Sequence, residues 1–169
     1  MSMQPVTPGG RIHEGHDPTF STTTTSSWSH ERWGGFLLTR QPPQWIHARL
    51  TGRLGSRTLQ ELDRRLHRGL SPAHTHFLVL DATQLQHIPV SVAGELAELE
   101  ARWRQRGIVA FWVALNPYLE DLLVFACGHE HHLPALADVD TARAVVARVA
   151  DRPPSVARGW LEAHSDLVH

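Results

Sequence analysis

The sequence contains no lysine: all sixteen basic residues are arginine. That absence excludes chemistry built on an amine, whether a phosphate-loop lysine or a Schiff base. Cysteine is nearly as scarce. Cys127 stands alone, so no internal disulfide forms and nothing points to an oxidising compartment. A basic excess is also missing: the formal net charge is -1, where nucleic-acid or anionic-membrane binding calls for a positive surface. No apolar run approaches the roughly 20 residues that span a bilayer, and the N-terminus lacks the apolar core of a signal peptide. The expectation is a soluble, cytoplasmic protein with no membrane insertion and no nucleic-acid partner. Its 169 residues suffice for one domain with a real core and a tail or two.

Histidine, by contrast, is plentiful. The 13 histidines run from His13 to His169, and only GHEHH at 128–132 is dense. Elsewhere they read as solvated surface. Residues 1–30 mix Pro, Gly, Ser and Thr without an apolar period, and cannot bury enough surface to offset their ordering entropy. They are expected to form a flexible tail, with Trp28 and Trp33 near its end as staples. The run STTTTSS within it could accept phosphate, but reads as linker.

The folded region is expected over 33–151, followed by an amphipathic helix in 152–169. GGFLLTR (34–40), the turn QPPQ and WIHARLTG (45–52) predict a strand pair. In the second strand Trp45, His47 and Arg49 share one face, and Ile46, Ala48 and Leu50 the other. A helix follows from Ser56 to Leu70, with Leu59, Leu62, Leu66 and Leu70 as its stripe and Thr58 with Glu61 as a capping box. Pro72 ends it. Phe77 to Leu80 is a continuous apolar run, as in a strand covered on both faces. Helix two spans Ser91 to Arg106, with Glu98–Arg102 and Glu100–Arg104 as i,i+4 pairs and Gly107 as its stop. Ile108 to Leu115 is the most hydrophobic strand. Asn116 caps the next helix, with Pro117 at its first position and Leu119, Leu122, Leu123 and Ala126 inward. LPAL (133–136) is a short last strand, and Val139, Ala142, Val145, Val146 and Val149 mark the helix after it. Ser155 can cap a final helix with Ala157, Trp160, Leu161, His164 and Leu167 inward. The order is β-β-α-β-α-β-α-β-α plus one extra helix. This is an α/β fold with a mixed four- to five-stranded sheet and helices packed mainly on one face.

Four stretches carry a family likeness. ARLTGRLGSRTLQELDRRL, FLVLDATQL, RQRGIVAFWVALNPYLEDLL and CGHEHHLPALADVDTARAVV resemble, in turn, segments of the STAS domain. These are its first helix and preceding turn, the strand before its switch loop, its central strand with the third helix, and its last strand with the final helix. That is the fold of anti-sigma factor antagonists and of the cytoplasmic tails of sulfate transporters, and the likeness covers about 40–150. The resemblance implies a non-enzymatic regulator, without a cofactor, that binds a partner protein such as an anti-sigma factor or its kinase. The partner surface it implies is the loop before helix two and that helix's outer face: His87, Pro89, Val90, Ser91, Val92, Glu95, Glu98 and Arg102.

The chain departs from the family where the family's chemistry sits. In typical members an Asp-Ser-Ser-Gly segment opens helix two, and the serine after the Asp takes phosphate from the partner kinase. Aligned without gaps from FLVLD, those four positions hold Pro89, Val90, Ser91 and Val92. Valine has no hydroxyl to phosphorylate, so the usual switch, which adds about 1.5 to 2 negative charges, is expected to be absent. Ser91 reads as the helix N-cap. Sliding the register by one would make it the phosphoacceptor, but without the preceding Asp and out of step with Gly107.

Two other readings stay open. One is a subunit like the STAS component of bacterial lipid-transport ABC complexes, bound to the ATPase. The other is a small metal- or thiol-dependent enzyme using Cys127 and the histidines. His129, His131 and His132 are its candidate ligands, yet consecutive positions rarely converge on one ion, and no metal is assigned. Trp45 and Trp160 are candidate interface anchors, and the chain could also pair with a second copy of itself.

Overall fold

The computed structural model describes residues 25–30, 34–41, 45–68, 76–128 and 134–165. Six strands form one sheet in sequence order: β1 (Thr25–His30), β2 (Gly34–Gln41), β3 (Trp45–Arg53), β4 (His76–His87), β5 (Ile108–Val113) and β6 (Ala135–Leu136). β1, β2 and β3 pair antiparallel, and β3 to β6 pair parallel. The sheet is therefore mixed, as expected, but wider by one strand. The added strand is β1, whose residues were read above as the end of a flexible tail. Its Ser- and Thr-rich sequence shows no apolar alternation, and backbone pairing from Thr25↔Arg40 to His30↔Gly35 holds it in place. The rest of that tail, with Trp33, lies outside the described residues.

Each parallel connection carries a helix: α1 (Ser56–Leu66), α2 (Val90–Gln105) and α3 (Pro117–Cys127). Right-handed crossovers put such helices on one side of a sheet. Accordingly Leu59 and Leu62 of α1, Leu96 and Trp103 of α2, and Leu119 of α3 share a core with Leu78, Leu80, Ala110 and Trp112. The alternate residues of the same strands, Phe77, Val79, Val109, Phe111 and Val113, point the other way. They are covered by α4 (Val139–Val149) and α5 (Pro154–Ser165) through Val145, Val149, Ala157 and Leu161. The helix content is thus divided three to two between the faces. A strand covered on both sides must be apolar at every position, which is why β5 is buried throughout.

Local signals hold at some ends and fail at others. Asn116 accepts a hydrogen bond from the Leu119 amide at 2.9 Å with Pro117 behind it, and Asp138 caps α4 through the Thr141 amide at 2.7 Å. Gly107 takes φ 74 just past α2, the left-handed conformation that stops a helix. The capping box at Thr58 does not form: Gly55 is the N-cap of α1, and the Thr58 hydroxyl is buried with no partner among the described residues. At its other end α1 is closed by Arg40, whose guanidinium donates to the carbonyls of Arg65, Leu66 and Arg68, a cation placed where the helix dipole is negative. Leu70 and Pro72 fall outside the described residues, as do Leu133 and Leu167.

Candidate functional site

β4 outlasts its pairing with β5, which ends at Asp81↔Val113, and continues along β3 to Arg53↔His87. The Leu54 amide donates to the His87 carbonyl at 3.0 Å and fixes that end. Ile88 then turns fully into the core, and Pro89, with φ -61, opens α2 at Val90. Ser91 is therefore not the N-cap; it is an exposed residue inside the first turn. Pro89 takes the cap position and has no side chain to satisfy the first amides.

Val90 is 51% exposed. Next to this turn stands Tyr118, in the first turn of α3 and 55% exposed. Its hydroxyl lies 2.9 Å from His87 Nδ1, and the two rings stack at 6.2 Å with 23° between planes. The β5–α3 turn that presents Tyr118 passes through Ala114 at φ 54, a left-handed conformation costly for any residue with a Cβ. His87 and Tyr118 thus set an aromatic contact beside the turn that runs through Pro89 to Val90. Tyr118 had no signal in the sequence beyond its place after Pro117.

The remaining predicted residues divide. Ser91, Glu98 and Arg102 lie along the outer side of α2 and are exposed. Glu98 and Arg102 form no ion pair among the described residues, whereas Glu100 and Arg104 do, at 2.5 Å. Glu95 accepts a hydrogen bond from the Ser56 hydroxyl at 2.6 Å, tying α2 to α1. Val92 is buried and cannot meet a partner. Trp45 is likewise buried, edge-on to Phe111 with the Arg143 guanidinium over its ring, so it is no interface anchor. Trp160, expected inward, is 40% exposed because Ala157 and Leu161 take the core side of α5.

Cys127 Sγ donates to the Ala93 carbonyl at 3.1 Å, and burial pushes its thiol pKa up. A protonated, hydrogen-bonded thiol is a packing group and a poor nucleophile. His129, His131 and His132 lie outside the described residues.

A second constellation escaped the sequence. Asp81, buried in β4, receives His47 Nε2 at 2.9 Å and Arg49 Nε at 3.4 Å on one oxygen. Its other oxygen receives the Thr83 amide at 3.0 Å and the Thr83 hydroxyl at 2.5 Å. Burial alone would raise this carboxyl's pKa. The hydrogen bonds from His47 and Thr83 outweigh burial and hold it well below the usual carboxylate range. With its oxygens taken up, Asp81 serves to lock β3 to β4. His47 and Arg49 were placed on one strand face by alternation, but Asp81, 34 and 32 residues away, could not be paired with them from sequence.

Comparison with known structures decides the fold class. The chain is similar to the murine Solute Carrier 26 family member A9 anion transporter in its inward-facing state, with a TM-score of 0.53 and 12% identity over 75% of this chain. The fold is STAS-like. The match takes in 22% of the transporter's own length, so it concerns one portion of that protein. The anti-sigma factor antagonist SpoIIAA in its unphosphorylated form also matches, with a TM-score of 0.46 and 16% identity over 67% of this chain and 96% of that one. No protein-family model and no curated sequence matches the chain. At these identities the STAS likeness speaks to architecture alone. Among the described residues no helix is long and apolar enough to cross a membrane.

Proposed function

We propose that this chain is a non-enzymatic STAS-type regulatory module that docks a partner protein, an anti-sigma factor or related kinase, at the opening of α2. The observation that carries the reading is Val90: the first residue of α2 is apolar and 51% exposed, and it closes the turn that starts at His87, whose ring stacks on the exposed Tyr118. Exposed apolar surface rimmed by polar residues marks protein interaction sites, and tyrosine is enriched among interface anchors. Ser91, Glu98 and Arg102 extend the surface along α2. The position at which a family serine would carry phosphate is Val90, so docking here is constitutive, and any control comes from elsewhere in the cell.

Site-specific crosslinking tests this. A photoreactive residue at position 90, in protein expressed in its own cell, should capture a single protein partner. The same group at Arg148, on the opposite helix layer, should not. Equal capture from both positions would contradict the reading.

A further inference from the structure

The outer face of α3 carries a surface that begins at Tyr118, where it meets the docking loop, and runs along the helix away from it. Tyr118, Asp121 and Phe125 lie at i, i+3 and i+7, hence on one side of the helix. Phe125 is 81% exposed, more than any other large apolar residue among those described, and Tyr118 is 55% exposed. Between the two rings stands Asp121, exposed and without a hydrogen bond or ion pair among the described residues. The helix carries Glu120 and Asp121 and no basic residue.

We infer that this face receives an arginine, carried on an apolar segment of the partner protein. A guanidinium is flat, so it can lie on an aromatic ring while its edge meets a carboxylate; an ammonium offers no such plane. The carboxylate supplies the charge, the flanking rings the stacking surface, and Leu122, partly buried against the core, the apolar floor. The inference rests on the docking reading above and names the chemistry of its partner.

The test uses the full chain and a short amphipathic peptide of leucine and arginine, about four helical turns long, titrated while backbone amides are followed by NMR. Lysine and glutamate versions of the peptide serve as comparisons. Shifts should centre on 118–125. The arginine peptide should bind at least about threefold tighter than the lysine peptide, and the glutamate peptide should not bind. Asp121→Asn and Phe125→Ala should each weaken arginine binding by about the same factor and erase its advantage over lysine. Both side chains are exposed, so neither change threatens folding. Equal affinity for arginine and lysine, shifts centred elsewhere, or indifference to Asp121→Asn would overturn the inference. So would self-association of the chain abolished by Asp121→Asn, since the arginine would then come from a second copy. Capture at position 90 with no arginine preference would sink this inference and leave the docking reading standing.

Discussion

His47 Nε2 donates to the buried carboxylate of Asp81 at 2.9 Å, joining β3 to β4 where the two strands run parallel. Because the acceptor is charged and out of water, its loss should cost more than an ordinary hydrogen bond. Asp81→Asn is expected to lower stability by about 2 kcal/mol in urea unfolding. The acid dependence follows from the lowered carboxyl pKa. An unfolded Asp takes up its proton near about pH 4, and the folded one only at lower pH. Below about pH 4 the unfolded chain therefore binds more protons, so Asp81's contribution is complete above that pH and falls away as acid is added. Unfolding midpoints measured from neutral pH down to about pH 3 should drop less steeply in the Asn variant.

Thr58 tests the opposite situation. Its hydroxyl is buried with no partner among the described residues, beside Leu59 and Leu62 in the α1 core. Valine keeps the shape and removes the stranded polar group, so Thr58→Val should be neutral or stabilising by up to about 1 kcal/mol. Thr58→Ser, which keeps the hydroxyl and loses a methyl, should destabilise by about 1 kcal/mol. The urea midpoint should fall for Thr58→Ser and should not fall for Thr58→Val.

Arg158 of α5 reaches Glu100 of α2, a carboxylate that is 4% exposed and is also held by Arg104. Burial would lower the guanidinium pKa, but Glu100 and Glu162 outweigh it and raise it. Arg158→Ala leaves Glu100 buried with one partner in place of two, and should cost about 1–3 kcal/mol. Glu162→Ala, at the exposed end of the same network, should cost less than about 0.5 kcal/mol. Thermal unfolding of both variants makes the comparison.

Much of this architecture was legible beforehand, and the reasons are specific. The α4 stripe of Val139, Ala142, Val145, Val146 and Val149 repeats at helical period, and the helix spans Val139–Val149. Asn116-Pro117 is a start signal that depends only on neighbours, and it held. The failures are those where a residue's own neighbourhood does not name its partner. β1 needs β2 to become a strand. Trp45 and Trp160 look alike by composition, but Phe111 and Arg143 bury the first while the second turns outward. At the candidate site, the turn before α2 and the apolar character of Pro89 and Val90 could be read from the sequence. The exposure of Val90 and the His87–Tyr118 contact could not, because both depend on how elements distant in sequence pack around this turn.

Ser91 is the one hydroxyl in the α2 opening, and it sits inside the first turn. Protein isolated from its own cell, digested and mapped by mass spectrometry, should carry no phosphate across 89–92. Stoichiometric phospho-Ser91 would mean that the switch has moved by one residue and still operates.

The central claim is that a partner binds at Val90, and affinity tests it most directly. With the protein captured at position 90 purified, its Kd for the wild-type chain should rise at least about tenfold on Val90→Arg, as for loss of an interface anchor. The thermal midpoint should be unchanged, since Val90 is exposed. An unaltered Kd for a folded Val90→Arg chain would contradict the account.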